Sequence, residues 1–292
     1  MINYLKFSLL IITSLFIFSC QQEEDLSADV EQSGVLEQLS EKDFSCVYSF
    51  VDNNWGPNAF RNNFIINQAH TNFIYDQNRR IANVFGVPTV PLSFIHDNSS
   101  GSTFNALSFS SGRIDYGEDI YRQALSKGLI APVAILAHEI GHQLQYRYNL
   151  PTRQENTARA TELEADGYAG YYLKRPNGYN ATWSQAGPAF AFAFDIGDLN
   201  TSSRGHHGTP RQRRSATRLG WYLGQYNLSP RNFDNYFFYY YNQYVLPGNL
   251  KIADQKRKGL DAEIDAFIES KLEELVKLNI GELSADDFIN LD

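Results

Sequence analysis

The sequence predicts an α+β fold that is mainly α-helical. Hydrophobic residues make up 43% of the 292 residues, charged residues 20% and aromatic residues 14%. This balance is typical of a folded globular chain and excludes a disordered, collagen-like or coiled-coil one. Along the chain, one helical pattern is followed by a few short strand patterns and then by helical patterns nearly to the C-terminus. This order favours the α+β class.

The first predicted elements are a helix and three short strands. Apolar residues recur at roughly helical spacing over 58–85, and Gly86 and Pro88 end that helix. Three segments with the composition of strands follow, separated by turns rich in Ser, Asn and Gly, at 89–95, 103–109 and 113–117. Short strands joined by such turns predict a small antiparallel sheet.

Helical patterns occupy most of the remaining chain, and prolines separate several of them. The predicted helices cover 118–127, 130–148, 153–174, 183–194, 210–226, 230–245 and 257–278. Tyr and Phe are dense over 236–244, which we interpret as a buried helix whose phenols reach water, with sugar stacking or a membrane surface as the alternatives. Since no internal repeat or second linker is present, residues 44–292 are predicted to form one domain.

Residues 1–19 are predicted to be a processing signal rather than part of the fold. Lys6 is followed by an uncharged, mostly apolar run, which is too short for a comfortable membrane span and has the length of a signal-peptide core. The run ends in the tetrapeptide IFSC at 17–20, which resembles a bacterial lipoprotein box. That resemblance implies acylation of Cys20 and attachment to a membrane through it. An uncleaved N-terminal anchor is the alternative.

Residues 21–43 are predicted to be a solvated tether between the lipidated Cys20 and the domain. They hold eight acidic residues, one Lys and no aromatic residue. The domain at 44–292 carries 23 basic and 25 acidic residues, so the net charge of −8 comes largely from the tether. An acidic chain argues against nucleic-acid binding. Because a Cys followed by acidic residues resembles exported lipoproteins of Gram-negative bacteria, the expected location is the outer membrane, on its periplasmic or cell-surface face.

A cluster with metal-ligand spacing lies in the predicted helix at 130–148. Residues 138–142 read His-Glu-Ile-Gly-His after an apolar run. Because positions i and i+4 share one face of a helix, His138 and His142 can aim their imidazole nitrogens at one point about 2.1 Å away, a zinc-ligand distance. Glu139 is then placed to reach a water at the metal without being a ligand itself.

The third metal ligand is predicted to come from the helix at 153–174. A catalytic zinc site needs three protein ligands and leaves its fourth position to water. Glu162 and Asp166 share a helical face, whereas Glu164 lies about 200° around the helix from Glu162. We therefore predict Glu162 as the third ligand. Asp166 is placed to accept the outer N–H of a ligating histidine and so fix its tautomer.

These two segments, AHEIGHQLQ and ATELEADGYAG, resemble the zincin superfamily in its glutamate-ligand (gluzincin) branch. The sequence is most similar to the bacterial neutral zinc metallopeptidase family. It is also similar to the prenyl-protein and heat-shock membrane metalloproteases, whose third ligand falls on Glu162. The resemblance covers roughly residues 90–220. Unlike the membrane families, the chain has no stretch after the signal run that approaches 18 apolar residues.

The resemblance also implies roles outside the ligand set. In those families a His followed by Gly or Pro precedes an Arg by six positions, which here gives His207 as a donor to the reaction oxyanion and Arg213 as a supporting residue. His206 is the alternative donor, and Arg213 could pair with Glu162, Asp166 or a substrate carboxylate. Asn105 and Ala106 match a family stretch on the strand that binds extended substrate, with an ordinary internal strand as the alternative.

The function predicted from the sequence is that of a zinc-dependent endopeptidase acting on a peptide or protein substrate. Glu139 is the predicted general base, and the zinc ion is held by His138, His142 and Glu162. Two alternatives stay open at this point. The chain could be a non-catalytic surface lipoprotein that binds a protein or glycan partner around a structural zinc, or a peptidase that acts on cell-wall peptides.

Overall fold

The computed structural model describes residues 55–194, apart from 57 and 100, together with residues 205–246 and 260–292. The predicted signal at 1–19, the predicted lipidation site at Cys20 and the predicted tether at 20–43 lie outside the described residues. The described part is mainly helical with a small sheet, as the sequence predicts. The elements are β1 (Phe60–Asn62), α1 (Gln68–Phe85), β2 (Leu92–His96), β3 (Ala106–Phe109), β4 (Arg113–Gly117), α2 (Glu118–Leu125), α3 (Ile130–Tyr148), α4 (Arg159–Lys174), α5 (Trp183–Phe194), α6 (Pro210–Leu223), α7 (Pro230–Tyr240), α8 (Ala262–Glu269), α9 (Leu272–Ile280) and α10 (Ala285–Ile289).

The sheet has four strands in the order β1-β2-β4-β3, and it is mixed. β1 pairs with β2, and β3 with β4, in antiparallel fashion, but β2 and β4 run parallel. The prediction of an antiparallel sheet was therefore wrong at this central pair. Period-two alternation identifies strands without giving their direction, and β3 folds back on β4 so that β2 reaches only the other side of β4. β3 is left at one edge of the sheet.

The first helix begins later than the sequence predicts. Residues 60–62 form β1, and α1 starts only after Asn67, whose side chain accepts a hydrogen bond from the backbone N–H of His70. Asn is a strong N-cap because its oxygen satisfies an N–H group that has no partner within the helix. The helix ends at Gly86, as predicted, and this glycine adopts the left-handed conformation.

The predicted limits of β4, α3 and α5 match those of the structure. α4 begins six residues later than predicted, because contacts hold the preceding residues as a loop. Arg153 and Arg159 both donate to the carboxylate of Glu155, and Thr152 donates to Asp234. Near the C-terminus, one predicted helix is divided into α8 and α9 at Ser270, and α10 was not predicted.

The tyrosine-rich stretch at 236–244 contributes to the hydrophobic core. α7 continues into a π-helical turn over Tyr241–Val245, and Phe237, Tyr240 and Tyr241 are fully buried. The Tyr240 hydroxyl donates to the Asp265 carboxylate at 2.6 Å. These buried rings are not available to stack on sugars, which supports the interpretation as a buried helix.

α4 and α6 cross at short range, with glycines of both helices at the crossing. A Cβ atom on Gly220 would lie 2.0 Å from the carbonyl oxygen of Gly167, and one on Gly170 would lie 2.3 Å from that of Thr217. Since real Cβ atoms do not approach oxygen so closely, the crossing requires glycine at these positions. None of the described helices has both the length and the apolar composition needed to cross a bilayer.

Candidate metal centre

Helix α3 presents His138 and His142 to one point inside the protein. Both side chains are buried, and their ring centroids are 4.8 Å apart with the rings nearly perpendicular. Their Nε2 atoms lie 3.2 Å from each other. The four-residue spacing on one helical face therefore brings the two nitrogens together, as the sequence predicts.

Glu162 on α4 completes a triangle with these two nitrogens. Its Oε2 lies 3.3 Å from Nε2 of His138, and its Oε1 lies 3.6 Å from Nε2 of His142. Ligand atoms about 2.05 Å from a zinc ion at tetrahedral angles are separated by about 3.3 Å. The three observed separations are close to that value, and the donor set of two imidazoles and one carboxylate suits a divalent metal. This buried group could hold a metal ion.

Burial and neighbouring groups shift the pKa values of all three predicted ligands. Burial raises the pKa of Glu162, but His207 and His142 outweigh it and hold the pKa well below its usual range. Burial lowers the pKa of His142 to about 4. Burial also lowers the pKa of His138, but hydrogen bonds to Asp166 and Glu162 outweigh it and raise the pKa to about 10.

Asp166 and Arg213 support His138 from behind the cluster. The Nδ1 atom of His138 lies 3.0 Å from Oδ1 of Asp166. Arg213 on α6 donates to both oxygens of the same carboxylate, at 2.7 Å each. Of the three partners that the sequence left open for Arg213, the structure gives Asp166. Burial raises the pKa of Asp166, but Arg213 outweighs it, so the carboxyl is ionised at neutral pH.

His142 has a different supporting residue, which the sequence reasoning missed. Its Nδ1 atom lies 2.8 Å from Oε1 of Gln145, and Gln145 Nε2 donates at 2.9 Å to Oε2 of Glu164. Glu164 thus faces away from the metal cluster, as the helical geometry predicts. The signal that could have identified Gln145 is its position three residues after His142, since residues i and i+3 are neighbours on a helix.

Glu139 is buried beside the cluster. Its side chain is directed into the interior, where burial raises the pKa to about 8 and the Glu162 carboxylate acts in the same direction, against His138 and Arg213. Its backbone carbonyl accepts a hydrogen bond from the hydroxyl of Ser108 on β3. The motif helix is therefore attached directly to the edge strand of the sheet.

His207 comes from the segment that precedes α6. Its Nδ1 atom lies 2.9 Å from Oε2 of Glu162, and its side chain is 12% exposed. The neighbouring His206 is 1% exposed. Thr209 ends this segment by capping α6, with Gln212 completing a reciprocal capping box. His207 therefore makes an ion-pair contact with the predicted ligand set.

Asn105 and Ala106 lie at the start of the edge strand and not at the cluster itself. The Asn105 carbonyl accepts from Gly117, and Ala106 pairs with Tyr116 across the sheet. Within the described residues, no hydrogen bond or ion pair joins either residue to the three predicted ligands. Gln143 on α3 donates to the Ser108 hydroxyl at 2.6 Å and to the Phe109 carbonyl at 2.9 Å, which fixes β3 alongside the motif helix.

The geometry of this site is the main guide to the function of the chain. No family model, curated protein or solved structure matches the sequence or the fold.

Proposed function

We propose that the chain is a zinc-dependent endopeptidase whose metal ligands are His138, His142 and Glu162. The observation that carries the proposal is the buried triangle of ligand atoms, with sides of 3.2, 3.3 and 3.6 Å. Two imidazoles and one carboxylate form a common ligand set of hydrolytic zinc enzymes, which keep a fourth position for water. A structural zinc site is closed by four protein ligands, so a set of three among the described residues favours catalysis over a purely structural role.

Glu139 is the proposed general base and acid. A bound zinc ion supplies Lewis-acid polarisation of the scissile carbonyl and lowers the pKa of water from about 15.7 towards 7. Glu139 takes the proton of the attacking water and returns it to the leaving amine.

His207 is the proposed donor to the oxyanion, which forms on the carbonyl oxygen when the carbonyl carbon is attacked. Its contact with Glu162 keeps the imidazole beside the ligand set. Donors that are fixed in place before the reaction stabilise the developing charge without reorganising. Asp166 and Arg213 hold the ring of His138 in its orientation, which leaves Nε2 directed towards the metal position.

The proposed substrate is a peptide or protein segment in extended conformation. β3 pairs with β4 on one side and has no strand partner on its other side among the described residues. An edge strand of this kind can add a peptide by main-chain hydrogen bonds, and Ala106, which follows Asn105, is the first residue of that strand. The contacts of Gln143 with β3 would keep the bound peptide in a fixed position relative to the motif helix.

We also propose export and lipid attachment through Cys20 at the outer membrane. The support comes from the apolar run at 1–19 and the IFSC tetrapeptide. Metabolic labelling with a fatty acid is expected to label the wild-type protein and not the Cys20→Ser variant. Labelling of both proteins, or of neither, would contradict the proposal.

Metal analysis and peptide cleavage with matched variants test the enzymatic proposal. Purified wild-type protein is expected to bind one zinc ion and to cleave members of a diverse peptide library. Glu139→Gln should keep the zinc and lose cleavage, whereas Glu162→Gln should lose both. Wild-type protein that binds zinc but cleaves nothing would favour the alternative of a partner-binding lipoprotein. Full cleavage by Glu139→Gln, with host proteases excluded, would refute the mechanism.

A further inference from the structure

The Gln145 side chain lies in the interior behind the second histidine of the motif. It is 2% exposed and follows His142 by one turn of α3. Its Oε1 lies 2.8 Å from Nδ1 of His142. On its other side, Nε2 donates to the backbone carbonyl of Thr161 at 2.8 Å and to Oε2 of Glu164 at 2.9 Å. Three polar groups therefore surround one buried amide.

These contacts leave only one reasonable orientation for the amide. Thr161 presents a carbonyl oxygen and Glu164 a carboxyl oxygen, so the NH2 group of Gln145 must face them. Reversing the amide would bring its oxygen against the Thr161 carbonyl oxygen, which can only accept, and would remove the hydrogen bond that Nε2 donates to it. The amide oxygen is thus fixed towards His142, and an oxygen there accepts a hydrogen bond from Nδ1–H. The opposite ring nitrogen, Nε2, is then left with its lone pair directed at Glu162 and His138.

We infer that Gln145 is a positioning residue that holds His142 in the tautomer and orientation needed for metal binding. The inference rests on the proposed metal site and adds a residue to it. The two histidines then have different hydrogen-bond partners at Nδ1: the Asp166 carboxylate for His138 and the neutral amide of Gln145 for His142. Partners of this kind set the orientation of a ligating imidazole and are worth about 10- to 100-fold in metal affinity.

The amide is itself held from the opposite side by groups on other elements. Glu164 on α4 and Asp234 on α7 are both fully buried. Burial and the neighbouring Asp234 both raise the pKa of the Glu164 carboxyl. Asp234 accepts hydrogen bonds from the backbone N–H and the hydroxyl of Thr152, at 2.9 and 2.7 Å. Gln145 therefore also connects α3 to α4, and a test must separate this structural connection from the positioning of His142.

The test compares zinc affinity in four proteins, measured by competition with a chromogenic chelator. Gln145→Met removes the acceptor for His142 as well as both donors, and its affinity is expected to fall 10- to 100-fold. Gln145→Glu keeps an oxygen acceptor for His142 but cannot donate as a carboxylate, and it should stay within about threefold of wild type. Gln143→Met is the matched control on the same helix, because Gln143 contacts β3 and not a ligand. It too should stay within about threefold.

Each outcome either supports the inference or overturns it. A wild-type protein that binds no zinc would end both the proposed function and this inference. A wild-type protein that binds zinc, with equal affinity in Gln145→Met, would overturn the inference alone. Equal losses in Gln145→Met and Gln145→Glu would show that the connection between α3 and α4 is what matters. Should Gln145→Met fail to fold, the affinity of Gln145→Glu alone decides, since only positioning predicts that it is retained.

Discussion

Arg213 donates two hydrogen bonds of 2.7 Å to the carboxylate of Asp166, and both side chains are almost completely buried. Because Asp166 also contacts Nδ1 of His138, this ion pair links α6 to a predicted metal ligand on α3. A buried charge pair is destabilising when one partner is removed, since the other charge remains without compensation. The pair is therefore expected to stabilise the fold and to hold the His138 ring in its orientation.

Replacing Arg213 by Leu is expected to lower the free energy of unfolding by about 3–5 kcal/mol, because the buried Asp166 charge loses its partner. Urea denaturation of the metal-free protein measures this. Arg79→Leu is the control, since Arg79 is 59% exposed and its pair with Asp76 is worth at most about 1 kcal/mol. Equal effects of the two substitutions would contradict the assignment of Arg213 to a buried pair.

Zinc is expected to stabilise the wild-type protein against heat. A ligand that binds only the folded state at 100 times its dissociation constant adds about 2.7 kcal/mol. For a chain of this size, that corresponds to a rise in melting temperature of about 5–10 °C. Calorimetry with and without zinc, and after treatment with a chelator, measures the shift. Glu162→Gln should show almost none of it, and a shift as large as in wild type would exclude Glu162 as a ligand.

The two adjacent histidines before α6 are expected to differ in their effect on catalysis. His207→Ala should reduce kcat by about 10²–10³-fold, the usual effect of removing one oxyanion donor, while zinc remains bound. His206→Ala should leave kcat within a few-fold of wild type, because His207 is the proposed oxyanion donor and contacts Glu162. Steady-state kinetics on one cleaved peptide separates them. A larger loss in His206→Ala would reverse the assignment.

The sequence was sufficient for the parts of the site that follow from helical periodicity. The positions of His138 and His142 on one face, and of Glu162 and Asp166 on another, depend only on spacing within two helices. Those four side chains do come together in the structure.

Contacts between elements that are distant in the sequence could not be predicted from spacing within a helix. The choice of Asp166 as the partner of Arg213 depends on how α6 crosses α4, which no local pattern encodes. Gln145 was missed for a different reason: its spacing from His142 indicates that the two side chains are neighbours, but not that the amide is buried and hydrogen-bonded to the imidazole. The parallel pairing of β2 and β4 depends likewise on the path of the chain rather than on strand composition.

Gly220 is expected to be required for the close crossing of α4 and α6. In an exposed helix Gly→Ala stabilises by about 1 kcal/mol, but here the added methyl would lie 2.0 Å from the Gly167 carbonyl oxygen. Gly220→Ala should therefore lower the free energy of unfolding by about 3 kcal/mol, at the upper end of the usual cost of overpacking. Chemical denaturation measures this, with the exposed Gln225→Ala as control. A stabilised Gly220→Ala variant would contradict the observed crossing.

Glu155 is expected to make the stability of the loop before α4 depend on pH. Burial raises the pKa of Glu155, but hydrogen bonds from Arg159 and Arg153 outweigh it and hold the pKa below its usual value. A carboxyl whose pKa is lower in the folded state stabilises the protein above the unfolded pKa of about 4.5 and loses this effect as pH falls through the folded pKa. Glu155→Gln should thus be less stable than wild type at pH 7, and the difference should shrink steadily below pH 4.5. Urea denaturation of both proteins between pH 7 and 3 measures it, and Glu273→Gln is the control because that carboxyl is largely exposed. A difference that is constant across this range would mean that the Glu155 carboxylate contributes through packing rather than through its charge.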